Sequence, residues 1–205
     1  MNGNERLSSE LFDVYKDGTK PATLGYPAAC NKAIPQHYQP HFFTGSPITR
    51  QDQVQIYEEL TRDSDGRFTT NFTRRFELVK DNRLLPIDWT EHGPDPSLNG
   101  RFLEATHPEG SARDDPDYHD GRGTDRVTYR MTLPADVDPA TCTVAATLHY
   151  QATPPYYLDQ RFQAAPDGDA TRRLYYLASN LELDGTPAEG WKLPLVSATA
   201  SVRVP

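Results

Sequence analysis

Residues 127–133 read VTYRMTL and residues 142–151 read CTVAATLHYQ, and these two stretches decide the fold class. In each of them apolar residues alternate with polar ones, which is the period-two pattern of a strand with one dry and one wet face. The turn-rich PADVDPAT lies between them, so they are predicted to form a hairpin. The alternating VSATASVRV, residues 196–204, predicts a last strand.

Further elements surround these strands. QVQIYEEL (53–60) is predicted to be a strand that ends at the turn signal Asp63-Ser64-Asp65-Gly66, and FTTNFTRRFELV (68–79) is predicted to return as its antiparallel partner. Short helices are expected in TRRLYYLASNLELDG (171–185) and over YYLDQRF (156–162). Because no β-α-β alternation appears, the sequence favours a mainly β fold, an antiparallel β-sandwich of immunoglobulin-like or jelly-roll type with one or two short helices.

The first fifty residues differ from the rest of the chain. Pro and Gly interrupt them throughout, and no helical or strand period is sustained. Residues 1–50 are therefore predicted to be a long, extended, aromatic and Pro-rich arm, ahead of a β-sandwich domain at residues 51–205. Its aromatic side chains give the arm apolar contacts, either with its own domain or with a neighbouring chain.

Composition excludes two classes of partner. The chain has 205 residues and a net charge of -8, which argues against a nucleic-acid backbone as partner, because such binding needs clustered Lys and Arg. The longest apolar runs fall far short of the ~20 residues that span a bilayer, so no membrane span is expected. The opening MNGNERLSSE shows no charged-then-apolar signal pattern.

The two cysteines, Cys30 and Cys142, lie in different contexts. Cys30 is in the Pro-rich arm, and Cys142 opens an alternating strand. A disulfide between them would indicate an oxidising compartment, whereas a strand cysteine is also a common small buried apolar residue. The sequence leaves both interpretations open, since it does not show proximity.

The histidines provide candidate ligands for iron or another metal. No C-x-x-C-H or H-E-x-x-H motif is present, so this chain holds no haem covalently. His37 and His41 have the four-residue spacing that pairs imidazoles on a helix, but Pro40 disfavours a helix there. They are candidate haem contacts, and the alternative is that both are polar groups of a loop.

An acidic loop and an aromatic cluster suggest two further ligands. Closely spaced oxygen ligands on a Gly-containing loop suit Ca²⁺; the acidic segment also contains Asp125, and its candidate ligands are Asp114, Asp115, Asp117 and Asp120. It lacks EF-hand spacing, and a solvated acidic loop is the alternative. An aromatic cluster near the end of the chain could line a sugar-binding groove or seal the end of the sandwich; its members are Tyr156, Tyr157, Phe162, Tyr175 and Tyr176.

No motif indicates catalysis. Neither a G-x-S-x-G serine nor a cysteine in an activating context is present. A pair of catalytic carboxylates has no local signature, so a hydrolase stays a third alternative. The chain is nevertheless predicted not to be an enzyme.

The sequence from about Gln51 to Leu193 resembles the haem-free C-terminal β-domain of bacterial multihaem c-type cytochromes. The resemblance is carried by a DNR-x-x-P segment, by a strand reading ATLHYQ and by a Pro-Tyr-Tyr turn. The matching residues are Asp81, Asn82, Arg83 and Pro86, then residues 146–151, and then Pro155, Tyr156 and Tyr157. The chain departs from that family in having no haem motif.

The resemblance implies a non-catalytic structural or interaction domain of an exported electron-transfer system. Such a domain would pack against or orient haem-bearing segments, with haem c on a partner cytochrome or on another segment. It implies a periplasmic or extracellular location, and Asp81 and Arg83 as a charge-assisted hydrogen-bonded corner. The alternative function is a carbohydrate- or calcium-binding β-sandwich module.

Overall fold

Residues 38–202 are described in the computed structural model, apart from the side chains of Pro155, Tyr156, Asp159 and Gln163. The described chain divides into two compact units, residues 38–130 and residues 131–202. The division falls inside the segment expected to be one β-domain. Residues 38–50 of the predicted arm belong to the first unit, in which Phe42 and Ile48 are buried.

The first unit contains a three-stranded antiparallel sheet in the order β2-β1-β3. Its strands are β1 (Glu59–Arg62), β2 (Phe68–Thr69) and β3 (Glu77–Asp81). The predicted turn joins β1 to β2, where the Asp63 carboxylate accepts the backbone N–H groups of Asp65 (3.0 Å) and Arg67 (2.9 Å). Antiparallel pairing with β1 is confirmed, but only the end of the strand predicted over residues 53–60 lies in β1, and a 3₁₀ turn at Phe72–Arg74 divides the predicted partner, residues 68–79, into β2 and β3.

Loops and short helical turns make up the rest of the first unit. Helix α1 (Pro96–Leu103) begins where the Asp95 carboxylate accepts the N–H groups of Ser97 and Leu98, with Pro96 in the first helical position. Single 3₁₀ turns occupy Phe72–Arg74, Glu104–Thr106, Gly110–Asp114 and Pro116–Tyr118.

The second unit combines a two-stranded antiparallel ribbon with two helices. Strand β4 (Thr143–Tyr150) pairs with β5 (Leu193–Ser201), with a register shift after Leu148. Between them lie α2 (Pro155–Ala164) and α3 (Asp169–Ser179), and 3₁₀ turns occupy Pro139–Thr141 and Glu189–Trp191. Both predicted strands and both predicted helices of this unit are confirmed.

The prediction of a strand and hairpin at residues 127–133 is wrong. Tyr129 makes only an isolated parallel bridge to Ile48, whose N–H donates to Thr128 O over 2.9 Å. The stretch crosses the boundary between the units, and β4 takes β5 as its partner instead. An alternating pattern shows that a segment can form a strand, but it does not identify the partner. The partner of β4 is β5, which lies about fifty residues further along the chain.

The two units have different interiors. In the first unit polar groups are buried beside a few apolar ones, and the largest fully buried side chains there are Lys80, His41 and Asn82. In the second unit Leu158 and Phe162 of α2 are buried, and Phe162 meets the Tyr175 ring of α3 edge-on at 5.4 Å.

Across residues 38–202 the architecture is mainly β, with two small antiparallel sheets, one in each unit, and few helices. Neither sheet closes on itself, and a β-sandwich is not confirmed. Within residues 38–202 no helix combines the length and apolar character needed to cross a membrane.

Candidate functional site

His41 is the centre of the buried polar network of the first unit. Its Nε2 lies 2.8 Å from Asp115 Oδ2, and its Nδ1 lies 2.7 Å from Gln55 Nε2 and 3.1 Å from Asn82 Nδ2. The Tyr118 ring packs edge-on against the imidazole at 5.0 Å. His41 therefore has polar partners on both ring nitrogens while fully buried.

Backbone groups fix the orientation of the two amide side chains. Gln55 Oε1 accepts the Phe42 N–H at 2.8 Å, so its NH₂ group must face His41. Asn82 Oδ1 accepts the Glu58 N–H at 2.8 Å, while its Nδ2 donates to Ile56 O at 2.8 Å. Both amides thus present donors to His41 Nδ1, which must be the unprotonated nitrogen. His41 Nε2 carries the proton and donates it to Asp115.

The same network includes a third carboxylate, that of Asp125. Its Oδ2 accepts the Tyr57 hydroxyl at 2.6 Å and Gln55 Nε2 at 3.2 Å. Burial, reinforced by the hydrogen bond to this carboxylate, raises the pKa of Tyr57, which keeps the phenol a donor. Asp125 Oδ1 is buried and has no hydrogen-bond partner among the described residues.

His41, Asp115 and Asp125 each offer one potential metal-ligating atom, and these atoms lie within 4.8 Å of one another. A metal ligand needs a free lone pair, however, and the amide donors already occupy the one on His41 Nδ1. A catalytic histidine–aspartate dyad likewise needs its second nitrogen for the reacting group. The chemistry of the donor set therefore fits a hydrogen-bonded core better than a metal or catalytic centre.

Lys80 of β3 ties the sheet to the neighbouring loops. Its buried ammonium donates to Gln39 O (2.9 Å), Ile56 O (2.8 Å) and Glu58 Oε1 (3.1 Å), which satisfies all three protons. Burial lowers the pKa of Lys80 and raises that of Glu58, and their mutual attraction opposes both shifts. The pair holds residues of the predicted arm against the sheet.

The DNR-x-x-P segment forms the corner that follows β3. The Arg83 guanidinium donates to both carboxylate oxygens of Asp81, at 2.9 and 2.5 Å, as a bidentate pair. Asn82 is part of the His41 network, and Pro86 O accepts the Trp89 N–H at 3.1 Å. Each motif residue thus supports backbone geometry, and Asn82 joins the corner to the buried core.

The four predicted calcium ligands are spread over several local structures. Asp115 accepts a hydrogen bond from His41, and Asp117 accepts two hydrogen bonds from the Arg126 guanidinium. Those bonds lower the pKa of Asp117. Asp120 accepts the Arg122 N–H, and Asp114 is exposed. Calcium binding stays a prediction, and it would have to displace two charge-assisted pairs.

The remaining predicted positions divide between described and undescribed parts of the chain. His37, Cys30 and the Tyr156 side chain lie outside the described residues. Tyr157 lies beneath Arg161, whose guanidinium carbon is 4.4 Å from the ring centre. In the aromatic cluster Phe162 is buried against Tyr175 while Tyr176 is exposed.

The β4–β5 ribbon is the main surface that no described residue covers. All residues of both strands are exposed. The register places Val144, Ala146 and Leu148 opposite Ala200, Ala198 and Val196, and we call these six residues the apolar ribbon face. The other face carries Thr and Ser, with the Thr147 and Ser197 hydroxyls 2.9 Å apart. Neither strand contains Asp, Glu, Lys or Arg.

Sequence reasoning placed Asp125 in the acidic loop but not in the buried network, and it missed Gln55, Tyr57 and Lys80 as members of that network. Each lies in a stretch with ordinary strand or loop character, and its partners lie far away in sequence.

No family model, curated protein or solved structure matches the chain.

Proposed function

We propose that this chain is a non-catalytic interaction domain that packs against the haem-bearing part of an exported multihaem c-type cytochrome. The observation that carries the proposal is the uncovered β4–β5 ribbon, an amphipathic pair of strands with one apolar face and no charged side chain. Such a surface favours binding to another protein over catalysis.

The energetics of the ribbon favour a covered state. On the apolar ribbon face Val144 is 47% exposed, Leu148 46% and Val196 61%. A two-stranded ribbon alone is marginally stable in water, and fully burying each such side chain contributes roughly 1.5–3 kcal/mol. A covering layer would therefore stabilise the ribbon and bind strongly at the same time. We propose that a two-layer β-sandwich is completed at this face when the partner binds.

The resemblance to multihaem cytochromes supports the choice of partner. Its ATLHYQ strand is the larger part of β4, so the uncovered surface coincides with the segment that in the family follows haem-bearing chain. The haem would belong to the partner, since this chain has no attachment motif. The role is then to pack against and orient electron-transfer centres, in the periplasm or outside the cell.

The His41 network supports a non-catalytic role. Because both imidazole nitrogens are occupied, His41 has no nitrogen for haem iron or for a reacting group. The network instead fixes the loops of the first unit.

Co-purification tests the proposal. The tagged full chain, passed through an extract of the cells that make it, is expected to retain a protein that stains for covalent haem. A matched control carries Val196→Glu on the apolar ribbon face and is expected to lose that protein. Recovery of no haem-staining protein by the unaltered chain would contradict the proposal.

A further inference from the structure

A cavity in the first unit lies apart from the ribbon and from the His41 network. It has a volume of about 400 Å³ and is lined by Trp89, Glu91, His107, Pro108, Arg113 and His119. We call it the Trp89 cavity. Ligand pockets commonly begin at roughly 300 Å³ and combine apolar walls with a few fixed polar groups.

The two imidazoles in the Trp89 cavity make the same kind of hydrogen bond. His107 Nε2 lies 2.9 Å from Glu91 O, and His119 Nε2 lies 2.9 Å from Arg113 O. A carbonyl oxygen only accepts, so Nε2 is the donor in each ring, and in the imidazole tautomer that this requires the lone pair lies on Nδ1. No described residue hydrogen-bonds to either Nδ1 atom. Each ring therefore has Nδ1 available to accept a hydrogen bond.

The rest of the wall is also fixed before any ligand arrives. The Trp89 indole donates to Thr106 Oγ1 at 3.0 Å and meets the His107 ring edge-on at 5.7 Å. Arg113 donates through Nε to Pro108 O and pairs with the Glu109 carboxylate. A backbone hydrogen bond from the Asp88 N–H to Gly121 O, with an N···O distance of 2.7 Å, holds the turn that carries Trp89. Fixed walls reduce the entropy cost of binding.

The lining selects the chemical class of ligand. Two imidazole lone pairs and the Glu91 carboxylate require hydrogen-bond donors and disfavour an anion, while the nearby Arg113 disfavours a cation. These three acceptors do not form a set whose atoms lie within 4.8 Å of one another, as a single metal ion would need. Hydroxyl groups both donate and accept, so a neutral polyhydroxy ligand matches this lining.

We propose that the Trp89 cavity binds a neutral sugar ring, with His107 and His119 accepting hydrogen bonds from its hydroxyl groups through Nδ1. This site is independent of the cytochrome contact, because its lining shares no residue with the β4–β5 ribbon. Either proposal can fail without the other.

Saturation-transfer NMR on the unaltered full chain tests the site directly. The probes are glucose, galactose, mannose and N-acetylglucosamine, and at least one is expected to give a saturable signal. His107→Phe and His119→Phe keep a ring in place but remove an acceptor, and each should weaken binding about tenfold, the effect of one lost hydrogen bond. The matched control is His92→Phe, at an exposed histidine outside the cavity, which should leave binding unchanged.

Two results would overturn the assignment. One is the absence of a saturable signal with all four sugars on the unaltered chain, a measurement that depends on no variant. The other is calorimetric binding of Zn²⁺ that both cavity variants abolish, which would make this a metal site. Thermal melts of the variants separate loss of binding from loss of folding.

Discussion

His41 Nε2 donates to Asp115 Oδ2 over 2.8 Å, joining residues 74 positions apart in the sequence. The bond links a segment predicted to be an extended arm to the acidic loop that was a candidate calcium site. Because the opposite nitrogen accepts from Gln55 and Asn82, one imidazole fixes three separate stretches of chain. The first unit is thus organised around a polar group rather than around an apolar cluster.

Replacing His41 by Phe should destabilise the first unit by about 3 kcal/mol, because a buried carboxylate and two amide donors each lose a partner. Urea unfolding followed by circular dichroism measures the free energy of unfolding. The control His92→Phe, at an exposed position, should change it by less than about 0.5 kcal/mol. Equal effects of the two variants would show that the network is not the centre of the core.

The Asp117–Arg126 pair should make stability depend on acid pH. The guanidinium hydrogen bonds lower the pKa of Asp117 in the folded chain, so between that value and the ordinary value near 3.9 the unfolded chain binds more protons. The stabilisation is therefore full above about pH 4 and is lost as pH falls through the folded pKa.

Asp117→Asn should remove this component and flatten the fall in the free energy of unfolding below about pH 4. Denaturant titrations at a series of acid pH values measure it. Asp114→Asn, at an exposed carboxylate in the same loop, is the control and should leave the slope unchanged. An unchanged slope in Asp117→Asn would refute the assignment.

Gly123 packs where no side chain fits. A Cβ there would lie 2.8 Å from Leu85 O and 3.0 Å from Ile87 N, and its φ of +65° is already unfavourable for other residues. Gly66 has a similar φ of +76° but open space around it. Gly123→Ala should therefore cost more than Gly66→Ala, which should lose roughly 1–2 kcal/mol. Thermal melts of both variants compare them, and equal losses would exclude the backbone clash.

The two faces of the ribbon should respond differently to charge. Val196→Glu puts a carboxylate on the apolar ribbon face, and Ser197→Glu puts the same group on the opposite face. Affinity for the haem-staining partner, measured by surface plasmon resonance, should fall at least about tenfold in the first variant, because a charge would be desolvated. It should stay near the original value in the second, and the reverse order would place the partner on the other face.

Local patterns predicted β4, β5, α2 and α3 because alternation and helical spacing need only neighbouring residues. Helix α1 was missed although Asp95-Pro96 is an ordinary start signal, since its eight residues sit in a Pro- and Gly-rich stretch. Residues 127–133 alternate as well as β4 does, yet they lack a paired strand, because a strand also needs a partner edge.

The buried network lay beyond sequence reasoning for a physical reason. Asn82 was identified as part of the DNR-x-x-P motif. Its contact with His41, however, joins residues 41 positions apart, and no local sequence pattern encodes a contact over that separation. The acidic loop suggested calcium because its carboxylates are adjacent in sequence. In the folded chain, however, Asp115 accepts a hydrogen bond from His41, and Asp117 accepts hydrogen bonds from Arg126.

Hydrogen exchange of the β4–β5 backbone amides, with and without the purified haem-staining partner, tests the central claim most directly. An uncovered two-stranded ribbon should exchange quickly in the isolated chain, and the bound partner should slow exchange across β4 and β5 while leaving β1 to β3 unchanged. Exchange in the ribbon that stays as fast in the complex as in the isolated chain would contradict the account.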